Sequence, residues 1–225
     1  AMTPGNAQFK GYEAYTFDDL RTFVPEEEQV LFDGVLDADG ATSFHMEPQA
    51  GRSAPAMVNA NLVTRVFEAG GDASMDRTTV RYYPYATYTG IQAPKRSNAW
   101  GTFNTDTTYT LPVVAIDVNG KSIAGRILKA QVYKMRNNWW WDGDIGGHAN
   151  YISSPSVELR EEFDLKTDAQ GRATVKFRVN RPEWGRFSVR VTDPQSGHSS
   201  ALQFYMDWPG WEGRSRRDEP DQAAM

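Results

Sequence analysis

Short runs of β-branched and aromatic residues, separated by turns that contain glycine, recur along most of this sequence. Asn119-Gly120 separates two such runs, and Asp39-Gly40 separates two more. Asn-Gly and Asp-Gly pairs supply the positive φ angles that a two-residue hairpin turn requires. Helical periodicity is almost absent. The pattern therefore predicts an all-β protein that is built largely from hairpins.

The second half of the chain, residues 87–207, is the more regular part. Turn signals recur there about every 8–12 residues, which is typical of a β-sandwich. The apolar residues Val175, Phe177 and Val179 alternate with Lys176 and Arg178, so one face of that strand is expected to be buried. Seven strands are predicted, over residues 87–91, 108–118, 125–133, 157–165, 172–179, 186–192 and 199–206.

The first half shows fewer strands than a complete sandwich needs. About five are predicted before residue 86, over residues 12–17, 30–36, 41–46, 57–68 and 74–85. We therefore expect two tandem β-sandwiches of the immunoglobulin/fibronectin-III type. The first, in residues 3–86, is expected to be partial and truncated at its N-terminus, and the second, in residues 87–207, to be complete and seven-stranded. A partial sandwich would leave a sheet edge exposed or exchange a strand with a second copy, because unpaired edges template pairing.

The two ends of the sequence are interpreted as boundaries of a piece of a longer chain. Ala1-Met2 has the pattern left when an affinity tag is removed, so these two residues are set aside for fold prediction. Residues 208–225 are polar and charged and contain Pro209 and Pro220. This segment is expected to be an interdomain linker.

Composition excludes several classes of function. There are 24 Lys and Arg against 29 Asp and Glu, a net charge of −5, whereas nucleic-acid binding needs a dense basic face. Cysteine is absent, which excludes disulfides, thiolate zinc sites and cysteine nucleophiles. No run of about eighteen apolar residues occurs, so no direct membrane insertion is predicted.

No motif in the sequence points to catalysis, a metal or a cofactor. His45, His148 and His198 are far apart and belong to no metal-binding repeat, and His198 is expected to be a solvated residue of a hairpin turn. Asp37-Ala38-Asp39-Gly40 and Asp142-Gly143-Asp144 invite a calcium interpretation, but neither has the ligand order of an EF-hand loop. As turns they need no ion. The sequence therefore predicts no catalytic residue, no metal and no cofactor.

The most unusual feature is the triplet Trp139, Trp140 and Trp141, which follows the strand predicted to end near Tyr133. Consecutive side chains of an extended segment face opposite ways, so the three indoles cannot all enter one core. Packing within the loop of residues 134–156 or against a neighbouring domain is the first interpretation. A stacking platform for sugar rings, as in a carbohydrate-binding or adhesive module, is the alternative. Trp208 and Trp211 could join the same interface.

Several segments of the chain resemble bacterial alpha-2-macroglobulins. They are YTGI at residues 88–91, VVAIDVNGKSIAG at residues 113–125, the tryptophan triplet, TDAQGR at residues 167–172 and GRFSV at residues 185–189. FDGVLDADG at residues 32–40 and FEAGG at residues 67–71 resemble the preceding domain of the same proteins. The resemblance covers nearly all of the chain, and the triplet between the third and fourth strands is its most specific part.

The resemblance implies a structural scaffold piece of a host-defence protease inhibitor. Such proteins join macroglobulin-like sandwiches, offer a bait segment to an attacking protease and rearrange when it is cut. Expected partners are the neighbouring domains of the parent chain and, for the whole protein, proteases. The resemblance implies a periplasmic location, often with a lipoprotein signal outside this chain. The Cys–Gln thioester of many members must lie elsewhere, because this chain has no cysteine.

Overall fold

The computed structural model describes residues 1–19, 28–45, 54–68, 70–94, 103–142 and 150–208, with side chains described except in residues 136–142 and 150–156. Within these ranges every regular element is a strand. None of the described residues belongs to a helix long and apolar enough to cross a membrane. In chain order, the strands are β1 (Met2–Gly5), β2 (Tyr15–Thr16), β3 (Met57–Phe67), β4 (Ala73–Tyr82), β5 (Tyr88–Gln92), β6 (Phe103–Asn104), β7 (Thr108–Ile116), β8 (Ile127–Asp142), β9 (Asn150–Lys166), β10 (Arg172–Arg178), β11 (Gly185–Thr192) and β12 (Ser199–Asp207).

Two sheets form a β-sandwich in the second half of the chain, as the sequence predicts. One has the strand order β10-β7-β5-β2 and the other the order β6-β12-β11-β8-β9. Their inner faces supply one apolar core, in which Leu111, Val113, Leu128, Val175, Val189 and Val191 are fully buried. Burial of these side chains is the main stabilising contribution to such a fold.

Side-chain caps fix the hairpin turns of this sandwich. The Asp117 carboxylate accepts hydrogen bonds from the N–H groups of Asn119 and Lys121 at 2.8 and 2.9 Å. Gly120 has a φ of +80°, a conformation that residues with a Cβ adopt at a cost. The same arrangement recurs at Asp168, whose carboxylate accepts from the N–H groups of Gln170 and Arg172.

All seven strands predicted for residues 87–207 are present, but two of them are much longer than expected. β8 continues to Asp142 and β9 begins at Asn150. The four-stranded sheet also takes a strand from the N-terminal part of the chain. Of the strand predicted at residues 12–17, only Tyr15 and Thr16 form a strand, which pairs with β5. The proposed domain limits, 3–86 and 87–207, stay predictions.

The N-terminal part contains a three-stranded sheet with the order β1-β3-β4. Met2, which was not expected to belong to the fold, pairs with Ala60 in this sheet. β4 is an outer strand among the described residues, and its side chains are mostly exposed. Whether a second copy exchanges a strand at this edge, and whether this part is truncated, stay predictions.

The strands predicted at residues 30–36 and 41–46 are not formed within the described residues, which end at residue 45 in this segment. The turn between them is formed, because the Asp37 carboxylate accepts the N–H groups of Asp39 and Ala41. The flanking runs have no strand partner in the described part of the chain, so apolar side chains such as Val30 and Val35, about nine-tenths exposed, face solvent. Alternation alone cannot stabilise a strand without a sheet to bury one face.

A second apolar cluster joins the N-terminal sheet to the outward face of the four-stranded sheet. From the N-terminal part it takes Phe9, Phe17 and Met57, and from the sandwich it takes Tyr88 and Ile116. The sandwich is therefore covered on that face.

Candidate functional site

The hairpin of β8 and β9 extends beyond the neighbouring strands of its sheet. β11 pairs with β8 only as far as Met135, whereas β8 pairs with β9 as far as Asp142. Residues 136–142 and 150–156 therefore form a two-stranded ribbon, and we call this segment the ribbon. At about 3.3 Å per residue, it is about 23 Å long.

The tryptophan triplet lies in the ribbon and not in a loop. In the backbone ladder, Trp139 pairs with Ser153, Trp140 with Ile152 and Trp141 with Tyr151. The prediction of a loop over residues 134–156 was therefore wrong for the greater part of that segment. Tryptophan, tyrosine and isoleucine favour extended backbone, and the paired strands satisfy one another's N–H and C=O groups. The role of the triplet as an interface stays a prediction.

The other two tryptophans of the predicted interface are placed differently. Trp208 directly follows β12, is 44% exposed and donates its backbone N–H to the Asp207 carboxylate at 2.8 Å. Trp211 lies outside the described residues. Their association with the triplet also stays a prediction.

An aromatic pair that sequence reasoning missed lies on the outer face of the five-stranded sheet. The ring centroids of Trp184 and Tyr205 are 6.4 Å apart, and their side chains are 54% and 36% exposed. Arg186 lies between Tyr205 and Met135 in the cross-strand row next to the ribbon. Tyr205 occupies a solvent-facing position between the buried Phe204 and Met206. The available signal was an aromatic residue, Tyr205, at a position of the alternating strand that faces solvent.

His198 lies in the interior, so the prediction of a solvated turn residue was wrong. Its side chain is 1% exposed, and its ring centroid is 4.9 Å from those of both Tyr85 and Tyr88. The preceding turn is closed by the Asp193 carboxylate, which accepts the N–H groups of Gln195 and Ser196. The tyrosines are distant in sequence, so no local pattern could reveal this burial.

The hydrogen bonds of His198 define its protonation state. Nδ1 accepts the N–H of Thr89 at 3.0 Å, so the neutral ring carries its proton on Nε2. Nε2 has no hydrogen-bond partner within the described residues. Burial lowers the pKa of His198 from 6.5 to about 4, against smaller opposing effects of the Phe17 backbone and the Asp193 and Asp19 carboxylates. The ring is neutral at pH 7.

A buried ion pair lies beside this histidine. The Asp19 carboxylate is 2.6 Å from Nε of Arg190 and accepts the hydroxyl of Ser199 at 2.8 Å. Arg190 also donates to the Ser199 hydroxyl at 3.0 Å. One residue before Asp19, the carbonyl of Asp18 accepts the N–H of Ala201 at 3.0 Å. Residues 17–19 are thereby fastened across the start of β12.

Phe17 completes this contact from the N-terminal side. It is fully buried and meets Phe9 edge to face, with ring centroids 4.7 Å apart. A Cβ atom at Gly90 would lie 2.6 Å from the Phe17 ring, so the ring needs the space that glycine leaves. We call the buried group of Phe9, Phe17, Tyr85, Tyr88 and His198 the aromatic joint.

The serine, histidine and aspartate near the joint are not arranged for nucleophilic catalysis. Ser199 donates its hydroxyl to Asp19, while Nδ1 of His198 is occupied by Thr89. A catalytic arrangement needs the serine to donate to the histidine and the histidine to donate to the aspartate. All three side chains are also shielded from solvent.

The candidate metal ligands are dispersed. Among the described residues, no group of three or more His, Asp or Glu side chains could hold a metal ion. His45 is exposed, and His148 lies outside the described residues. The Asp37 carboxylate caps its own turn through two N–H groups. Asp142 ends β8, and Asp144 also lies outside the described residues.

Residues 90–208 match the family model for bacterial macroglobulin domain 6. The chain is similar in fold to the native conformation of E. coli alpha-2-macroglobulin, with 18% identity, a TM-score of 0.61 and coverage of 92% of this chain and 13% of that chain. Salmonella alpha-2-macroglobulin reacted with methylamine gives 19% identity, a TM-score of 0.60 and coverage of 92% and 14%. E. coli alpha-2-macroglobulin activated by porcine elastase gives 18% identity, a TM-score of 0.59 and coverage of 92% of this chain and 18% of that chain. No curated protein matches the chain.

Proposed function

Because this chain belongs to the bacterial macroglobulin family, we propose that it is a non-catalytic scaffold segment of an alpha-2-macroglobulin-like protease inhibitor. The observation that carries the proposal is the family match over residues 90–208, the part of the chain that forms most of the two-sheet sandwich. The chain spans 13% of the length of the E. coli protein in its native conformation. The inhibitory activity is therefore proposed for a larger protein, of which this segment is one part.

In this proposal, the segment is a structural part that contacts the neighbouring domains of the parent chain and takes part in their rearrangement. The aromatic joint and the Asp19–Arg190 pair hold the N-terminal part of the chain against the sandwich, while the ribbon and the Trp184–Tyr205 pair offer contact surface. The proposed partners are neighbouring domains of the parent chain and, for the whole inhibitor, proteases. A periplasmic location and a role in host defence belong to the same proposal.

The first test is the reading frame that contains this sequence. It should encode further β-sandwiches on both sides and a downstream Cys-x-x-Gln motif. The full-length product, incubated with porcine elastase, should protect casein while leaving hydrolysis of a small chromogenic peptide intact, because a trapped protease remains accessible only to small substrates. Unimpaired casein hydrolysis would contradict the proposal.

A variant pair separates the contribution of this segment from that of the rest of the protein. Arg190→Ala, which removes the 2.6 Å ion pair with the buried Asp19 carboxylate, should reduce protection of casein. Lys129→Ala removes only an exposed pair with Glu162 and should leave protection unchanged. Equal protection by both variants would show that the joint has no part in inhibition.

A carbohydrate-binding module is the second candidate function, and the specific observation in its favour is the placement of three tryptophans in the ribbon. Its test is intrinsic fluorescence titrated with a panel of oligosaccharides. A saturable shift that Trp140→Ala abolishes and Trp208→Ala retains would support sugar binding. No shift across the panel would exclude this alternative for the sugars tested.

A further inference from the structure

His198 connects three parts of the fold at one point. It directly precedes β12, its Nδ1 accepts a hydrogen bond from β5 through Thr89, and its ring contacts Tyr85, which precedes β5. Tyr85 in turn donates its hydroxyl to the carbonyl of Ala54 at 2.6 Å, just before β3. A change at His198 therefore acts on the contact between the sandwich and the N-terminal sheet.

Protonation of this ring is incompatible with the hydrogen bond that it makes. A proton on Nδ1 would face the N–H of Thr89, and two donors cannot share a hydrogen bond. The Thr89 hydroxyl, 3.1 Å from Nδ1, could accept the new proton. It cannot supply an acceptor to its own amide, however, so a buried N–H would lose its partner.

The charged groups around the ring are largely compensated by other partners. Asp193, in the turn before His198, pairs with Arg126 at 2.7 Å. Asp19, on the segment after β2, pairs with Arg190 of β11. Asp18 on the same segment has its pKa raised by burial. Burial also raises the pKa of the Tyr85 and Tyr88 hydroxyls, so they stay neutral. The Phe17 backbone and the Asp193 and Asp19 carboxylates favour the charged ring, but the loss of hydration on burial outweighs them.

We infer that the aromatic joint is a proton-sensitive contact: protonation of His198 breaks its bond to Thr89 and releases residues 17–19 from β12 while the sandwich core stays folded. Among the described residues, the core between the two sheets contains no histidine, so no comparable response to acid is expected there. The inference concerns a conformational property of this chain and goes beyond the proposed scaffold role.

Hydrogen exchange followed by mass spectrometry tests the inference on the whole chain. After correction for intrinsic exchange rates, protection of peptides covering residues 7–19 and 199–203 should fall about tenfold or more between pH 7 and pH 4.5. Peptides from β10 and from residues 111–116 should keep their protection. Uniform retention or uniform loss of protection in all these peptides would overturn the inference.

His198→Asn supplies the decisive comparison, because its carboxamide oxygen can take the place of Nδ1 as an acceptor but does not ionise. The variant should keep protection of residues 7–19 at pH 4.5, whereas the matched variant His45→Asn, at an exposed position, should lose it as the wild type does. Acid-induced loss in His198→Asn equal to that in the wild type would overturn the inference.

A measurement on the wild type covers the case in which His198→Asn does not fold. The imidazole of His198, followed by NMR, should titrate together with loss of protection at the Ala201 N–H, which donates to the carbonyl of Asp18. Titration of His198 with the Ala201 amide still protected would overturn the inference.

Discussion

The carboxylate of Asp19 lies 2.6 Å from Nε of Arg190, and the Asp19 side chain is almost completely buried. This pair joins the segment after β2 to the five-stranded sheet. Removing one partner of a buried ion pair leaves a charge without compensation in a medium of low dielectric constant. The N-terminal segment is therefore held to the sandwich by an interaction that a single substitution can break.

Arg190→Ala should lower the free energy of unfolding by about 3–5 kcal/mol, because the buried Asp19 carboxylate loses its ion pair with the guanidinium. Urea denaturation followed by tryptophan fluorescence measures the change. The control is Lys129→Ala, since the Lys129–Glu162 pair is more than a third exposed on both sides and exposed ion pairs contribute little to stability. A cost for Arg190→Ala no larger than that of the control would contradict the structure.

The free energy of unfolding should fall as the pH is lowered from 6.5 towards 4. The pKa of His198 is lowered by burial from 6.5 to about 4, so in this range the unfolded chain binds more protons than the folded one. The stabilising effect of the neutral ring is complete above pH 6.5. Below that pH, the free energy of unfolding should change by at most about 1.4 kcal/mol per pH unit for one proton. Urea denaturation at a series of pH values measures it.

Asp18 acts in the opposite direction in the same titration. Burial raises its pKa above 3.8, so the folded state holds its proton to a higher pH and gains stability in acid. His198→Asn removes the histidine contribution and should flatten the slope or reverse its sign. A slope unchanged by this substitution would show that other groups cause the pH dependence.

Gly90→Ala should destabilise the protein by about 1–3 kcal/mol, as expected for overpacking of a tightly packed site. The new Cβ would lie 2.6 Å from the Phe17 ring and 2.9 Å from Val114, and both neighbours are buried. Gly70→Ala is the matched control, because no atom lies within 4 Å of a Cβ there. We expect it to change stability by less than about 1 kcal/mol, and equal effects at the two sites would refute the packing of Phe17 against Gly90.

The features predicted best from the sequence were those encoded locally. The hairpin at Asn119-Gly120 follows from the turn chemistry of four adjacent residues, and Asp117 acts within that same turn. The alternation of Val175 and Phe177 with charged neighbours likewise fixes which face of β10 is buried. Such signals need no knowledge of distant residues.

The features that were missed depend on contacts between distant parts of the chain. Tyr15 and Thr16 pair with β5, and a strand of two residues has no periodicity to detect. His198 is buried by Tyr85 and Tyr88, which no local pattern relates to it. The ribbon was missed because the alternation of apolar and polar residues ends near Tyr133, where the strand was predicted to end. Beyond that point β8 and β9 continue by pairing with each other.

Limited digestion with chymotrypsin should cut first within residues 28–45. This segment exposes Leu31, Phe32, Leu36 and Phe44 and forms no described strand, and exposed segments outside sheets are the preferred sites of nicking. Asp37→Ala removes the cap of its turn and should speed the cut. Asp168→Ala removes an equivalent cap inside the sandwich and should not. Mass spectrometry of the earliest fragments identifies the first cleavage sites. First cuts within β10 or β11 would contradict the prediction.

Replacing residues 137–155 with Asn-Gly should shorten the ribbon without unfolding the sandwich. Arg136 and Ser156 pair directly, so a two-residue turn can join them. Among the β8 side chains that the structure describes, the buried ones are Leu128, Ala130 and Val132, and these lie in the retained part. The free energy of unfolding in urea should change by less than about 1 kcal/mol, whereas Leu128→Ala should cost about 2–5 kcal/mol. A loss from the deletion as large as that from Leu128→Ala would mean that the ribbon contributes to the stability of the sandwich and is not an independent contact surface.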